Sequence, residues 1–147
     1  MFAITALFAV LFICALPRDA SSETTCQTHK RNSASVNSPV KWDIQCDAQG
    51  NYLPLQCTIQ TPKWCACYDK EDMVAQPSKA TKSCECHLAR AHAIKSGKTL
   101  CETPVCERNG HFQKKQCCDI TRECRCVDPV TGQNTVQPQK NLNLHCP

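Results

Sequence analysis

The sequence predicts a small disulfide-rich α+β protein of two tandem modules, each a short helix, a small β-hairpin and loops held by cystines. Three observations predict it. The chain of 147 residues carries 15 cysteines. Residues 46–67, CDAQGNYLPLQCTIQTPKWCAC, recur in altered form at 106–126, CERNGHFQKKQCCDITRECRC. An apolar stretch over 2–16 is too short for a comfortable bilayer span and reads as an export signal, which places the rest of the chain in an oxidising compartment.

The leader comes first. Pro17, Arg18 and Asp19 follow the apolar stretch, so residues 1–22 are expected to be a signal peptide, cleaved after Ala15 or as late as Ser22. Cys14 lies within it, which leaves an even 14 cysteines in the mature chain and predicts seven disulfides with no free thiol. No second apolar stretch occurs. The expected product is a secreted, extracellular protein with no membrane partner, a monomer.

The repeat fixes the module boundaries at 26–84 and 86–146. Cysteine gaps run 20, 11, 8, 2 and 17 in the first and 20, 11, 7, 2 and 20 in the second. In each copy a Gly stands four residues after the second cysteine (Gly50, Gly110), an aromatic two further on (Tyr52, Phe112), then Gln-Cys and finally Cys-x-Cys. Only Glu85 separates the modules, so no flexible linker exists. A core of about sixty residues stabilises a fold by only a few kcal/mol, so covalent staples are needed. With few aromatics, the cystines themselves must form much of each core.

Regular structure is expected to be sparse. Residues 86–95, CHLARAHAIK, are rich in helix formers, with Leu88, Ala91 and Ile94 on one side and Gly97 as a stop. The matching segment, 26–33, is a weaker and shorter helix. Residues 51–57 and 65–69 can pair as a hairpin, as can 111–117 and 124–128, and Asp128-Pro129-Val130-Thr131-Gly132 is turn chemistry.

Catalysis is not expected. His29, His87, His92, His111 and His145 lack any metal-ligand spacing, and cysteines held in cystines cannot act as thiolate nucleophiles. With four glycines in the chain there is no phosphate-binding loop. Zinc knuckles need Cys-x-x-Cys, whereas this chain offers Cys-x-Cys at 65/67, 84/86 and 124/126. No metal, no cofactor and no enzyme activity follow. The net charge of +4 comes from scattered residues. Arg108, Lys114 and Lys115 make at most a small basic patch, so no nucleic-acid partner is expected.

Six cysteines per module, Gln-Cys, and Cys-x-Cys followed by Tyr-Asp or Val-Asp resemble the thyroglobulin type-1 domain, twice over, across residues 26–146. The tandem arrangement is similar to that of two-module proteins of this family in arachnid secretions, spider venom among them. The resemblance implies pairing of first with second, third with fourth and fifth with sixth cysteine. Carried over, this gives Cys26–Cys46, Cys57–Cys65 and Cys67–Cys84, then Cys86–Cys106, Cys117–Cys124 and Cys126–Cys146. The family usually has Trp inside Cys-x-Cys. Ala66 and Arg125 stand there instead, and Trp64 is the candidate to replace that ring in the first module. A Pro two residues before the second cysteine is present as Pro104 but is Ile44 in the first module.

Many modules of this family inhibit papain-like cysteine proteases by inserting three loops as a wedge into the cleft, and the resemblance implies the same partner here. The alternatives are a non-inhibitory extracellular binding module and a venom toxin acting on a receptor or channel. Mapped onto this chain, the first wedge comprises 37–45, 58–64 and the turn after Asp69. The second comprises 95–105, 118–123 and the turn around Gly132. Candidate contacts are Val40, Trp42, Ile59, Leu100 and Ile120, with Gly97 allowing close backbone approach; Trp42 is equally a candidate for the core. Cys101 and Cys118 exceed the family pattern and fall in the first and second wedge loops of module two. A Cys101–Cys118 bond is predicted, with a bridge between two chains as the alternative.

Overall fold

The computed structural model describes residues 22–147; the expected signal peptide at 1–22 lies outside these but for its last residue. Helix α1 spans Thr25–Ser35, followed by strands β1 (Trp42–Asp43), β2 (Leu55–Thr58), β3 (Cys65–Asp69) and β4 (Asp72–Ser78). Helix α2 spans Glu85–Lys95, followed by β5 (Lys115–Cys118), β6 (Glu123–Val127) and β7 (Asn134–Gln139). The strands form two antiparallel sheets, β1-β2-β3-β4 and β5-β6-β7.

Each helix is as long as its end groups allow. Thr24 accepts from Gln27 N–H while the Gln27 side chain accepts from Thr24 N–H, a reciprocal cap that starts α1. This makes α1 equal to α2 at 11 residues, not the shorter helix predicted. At the far end of α2, Gly97 adopts φ 68°, Lys98 N–H donates to Ala93 C=O and Gly97 N–H donates to Ile94 C=O. That closes the last turn in a left-handed cap. The inward side of α2 is Cys86, Ala89 and Ala93. Ile94, predicted to share the apolar side, is 59% exposed because it lies one step around the helix from the inward face of Cys86, Ala89 and Ala93.

Seven disulfides join Cys26–Cys46, Cys57–Cys65, Cys67–Cys84, Cys86–Cys106, Cys101–Cys118, Cys117–Cys124 and Cys126–Cys146. The first-half core gathers Cys26, Ile44, Tyr52, Ala66 and Tyr68, with the two tyrosine rings stacked at 4.3 Å. The second-half core is smaller: Cys86, Phe112 and Val127, with Ala89 and Cys106 against them. Trp64 does not replace a core ring. It is 43% exposed, since it sits at the end of the hairpin where no second layer covers it.

The Gln of each Gln-Cys pair is the polar centre of its half. Gln56 is fully buried; its Nε2 donates to Gln45 C=O at 2.8 Å and Leu53 C=O at 2.6 Å, and its Oε1 accepts from Gln45 N–H at 2.8 Å. Gln116 repeats this on Val105 and Gln113 at 2.8, 2.6 and 2.8 Å. In both copies the amide satisfies the N–H and C=O of the residue just before the second cysteine. A buried peptide group without a partner is costly.

The junction is closed by backbone. Gly110 has φ 93°, and a Cβ there would lie 1.7 Å from Ser83 C=O. Lys82 and Ser83 N–H both donate to Asn109 C=O, and Cys86 N–H donates to Gly110 C=O. His92 Nε2 lies 3.1 Å from Asp69 Oδ2, joining α2 to the end of β3.

Two predictions follow from the cores. Gln56→Ala leaves the Gln45 N–H and C=O short of partners and is expected to cost about 2–4 kcal/mol, read from denaturant midpoints with disulfides intact. Burial raises the phenol pKa of both Tyr52, where Tyr68 adds to the effect, and Tyr68, the chain's only tyrosines. A raised folded value means that the stabilisation is whole below the unfolded value near 10 and is lost as pH climbs through the folded values. Phenolate absorbance of the native protein should therefore rise later than that of reduced, unfolded chain, whose tyrosines ionise together near pH 10.

Candidate functional site

In each half the β-hairpin ends in a tip where separate segments meet. In the first half the register Cys57↔Cys65 puts the 59–64 turn at one end of the sheet. Strand β1 joins there through Trp42↔Thr58, and Ile59 N–H donates to Lys41 C=O. Trp64 N–H donates to Thr58 Oγ1 and Thr58 N–H to Trp64 C=O, so the turn is closed by two hydrogen bonds. Val40 and Ile59 are exposed here, at 52% and 60%. Trp42 is half-buried against the Cys26 and Tyr52 cluster while it also lines an open groove with Val40 and His29. Core and surface share that ring.

In the second half, Cys117↔Cys124 sets the 119–122 turn at the equivalent end. The Cys101–Cys118 bond, with Cα atoms 4.8 Å apart, ties the 95–105 segment to the base of this turn. Leu100, beside Cys101, and Ile120, two residues after Cys118, are 85% and 80% exposed, more than any other large hydrophobic residue described. Gly97 is placed by the helix cap, with nothing within 4 Å of where a Cβ would be.

The third segment of each tip differs from the one expected. The turn after Asp69 is closed by Asp69↔Asp72, at the opposite end of β3. Five residues of strand place it roughly 13 Å from the 59–64 turn. Gly132 is likewise at the far end, where it packs against the Phe112 ring. The segments at the tips are those leaving β4 and β7, because Ser78 lies opposite Cys65 and Gln139 opposite Cys124. In the first half this brings Lys79 Nζ 5.1 Å above the Trp64 ring. Lys79 was missed by the sequence reading. The signal for it is Gln-Pro-x-Lys, which occurs at 76–79 and again at 137–140.

Braced turns stand at the far end of each half and at the foot of the second tip. Asp47 accepts from Asn51 through side chain and backbone, which holds its carboxyl below the usual range. Asp128 is lowered in the same way by Thr131, and Glu102, at the foot of the second tip, by the Thr99 hydroxyl and N–H. His87, by contrast, is lowered by burial and then by Arg90. Among the described residues no group of three or more His, Cys, Asp or Glu is placed to hold a metal ion.

A helix, a braced hairpin and three cystines in this order define a small disulfide-rich α+β fold, and the thyroglobulin type-1 repeat model matches residues 84–146. The chain belongs to the thyroglobulin type-1 family. It is 33% identical over 141 residues to U20-hexatoxin-Hi1a of Hadronyche infensa, spanning 93% of this chain and 96% of that protein. It is 32% identical over 110 residues to U24-ctenitoxin-Pn1a of Phoneutria nigriventer, covering 74% and 85% of the two chains. Rat thyroglobulin is 31% identical over 113 residues, 69% of this chain but 4% of that much longer one. None of these relatives is named as an enzyme, two are named as toxins, and the dense disulfides suit an extracellular protein.

Loss of the Cys101–Cys118 bond should loosen the second tip without unfolding the hairpin beneath it. Cys101→Ser with Cys118→Ser opens a closure of 17 residues and is expected to lower stability by about 3 kcal/mol. Limited proteolysis checks the location: new cleavage should fall within 98–105 and leave the first half intact.

Proposed function

We propose that this protein is a secreted, reversible inhibitor of papain-like cysteine proteases, built from two tandem thyroglobulin type-1 modules at 26–84 and 86–146 behind a cleaved signal peptide at 1–22. The observation that carries the reading is the pair of tips. Each gathers three chain segments into one protruding end, exposes large aliphatic side chains there, and has cystines at its base. Val40, Ile59 and Trp42 supply the apolar contacts of the first tip, and Leu100 and Ile120 those of the second. Loops fixed in the free protein lose little conformational entropy on binding, so burying these side chains is converted to affinity. A disulfide-tied loop also stays in place if a protease cuts it, so a cut would not release the cleft. The partner's cleft is blocked by occupancy, with no bond formed to its cysteine.

A second reading follows from the names of two relatives: a toxin that places the same tips on a receptor or channel. A non-inhibitory extracellular binding module is the third. Titration of the oxidised protein against cysteine, aspartic and serine proteases separates these. The expected outcome is inhibition of at least one papain-like enzyme, reversed by dilution, abolished by reduction and leaving no adduct by mass. Leu100→Asp or Ile120→Asp should weaken it at least about tenfold if the second tip is the one engaged. Silence across the panel at micromolar protein would overturn inhibition and leave the toxin or binding-module reading.

A further inference from the structure

The two tips differ in charge, and the difference is built by position. The first tip carries Lys41, Lys63 and Lys79, all exposed, around Val40, Ile59 and Trp64. Backbone hydrogen bonding from Ile59 N–H to Lys41 C=O holds Lys41 against the 59–64 turn, and Lys79 lies above the Trp64 ring. Neither of the two ion pairs among the described residues, Arg31–Glu23 and His92–Asp69, involves these lysines. The nearest carboxylate in sequence, Asp43, is already engaged by Gln45 Nε2 at 2.6 Å. At the opposite end of the same hairpin stand Asp69, Glu71 and Asp72, offset only in part by Lys70. The first half is thus a dipole with its positive end at the tip. The second tip has no such bias: Lys98, Arg122 and Lys140 are offset by Glu102, Asp119 and Glu123.

We infer that the first tip is the selective one: it docks into a papain-like protease cleft whose apolar crevice is ringed by carboxylates, while the second tip binds with little regard to charge. The inference rests on the inhibitory reading above and adds to it the class of target. Three unpaired cations around an apolar centre attract an acidic rim before contact, and the dipole turns the tip toward it. The long lysine stems then lie along apolar surface while their ammonium groups meet the rim.

Two papain-like proteases, one with an acidic cleft rim and one with a basic rim, are the probes. Association and dissociation rates are followed as salt rises from about 50 to about 500 mM, which shortens the screening length several-fold. Toward the acidic-rimmed enzyme, the association rate should fall about tenfold over that range. Lys41→Gln, Lys63→Gln and Lys79→Gln combined should lower it about tenfold at low salt and flatten its salt dependence, with dissociation changed less than about twofold. Near-UV dichroism of the tryptophans shows whether the triple variant keeps its tip. Wild-type rates from a correctly folded triple variant, or equal association with both enzymes at low salt, would overturn the charge selection and leave inhibition standing. If neither enzyme is inhibited at any salt, the inhibitory reading fails and this inference goes with it.

Discussion

Each half depends on one buried side-chain amide. Gln56 on β2 and Gln116 on β5 belong to a fold with little apolar mass, and each makes three hydrogen bonds to backbone groups of two separate segments. The amide reaches from β2 or β5 to the residue preceding the second cysteine. That residue fixes where the helix-to-loop cystine attaches, and the next residue after the Gln carries the cystine across the hairpin. The two cystines are therefore set at a fixed distance by a group of the right length, with a donor and an acceptor at its end. Neither a shorter amide nor an apolar residue could do both.

Around that shared centre the halves distribute their stabilisation differently. The first uses side chains: Ile44 is buried where Pro104 stands in the other half, and the Tyr52–Tyr68 stack is extended by His29, whose ring nitrogen lies 2.9 Å from the Tyr52 hydroxyl. The second has one ring, Phe112, and replaces Tyr68 by Val127. Its Arg125 occupies the place of the buried Ala66 and leaves Nε without a partner. The extra cystine lies in this less well-filled half. Covalent closure there substitutes for packing, and it does so at the tip.

Cysteine spacing made the fold class readable, because gaps of 20 and 11 in order are hard to produce by chance, and the helix formers of 86–95 marked α2 within one residue. The outer strands were not readable. β4 and β7 are polar, and each contains a proline, Pro77 or Pro138, which argues against a strand unless the strand lies at an edge. With those strands hidden, the chain after Asp69 reads as loop. The turn after Asp69 was then assigned to the tip, although the strand order carries it to the other end. The length of α1 was recoverable from Thr24 and Gln27, whose spacing is that of a reciprocal cap. The fate of Trp64 was not, since an aromatic one residue out of step gives no sign of which layer it will face.

The two strand prolines have a further effect. Residues 77 and 138 are matched, each one place before the residue paired with the first cysteine of Cys-x-Cys, on the outermost strand of its sheet. A proline offers no N–H, and both strands are also irregular in register nearby. A neighbouring molecule that tried to extend either sheet would find an incomplete row of donors on a bent ribbon. On the β4 and β7 sides, each sheet ends where it is.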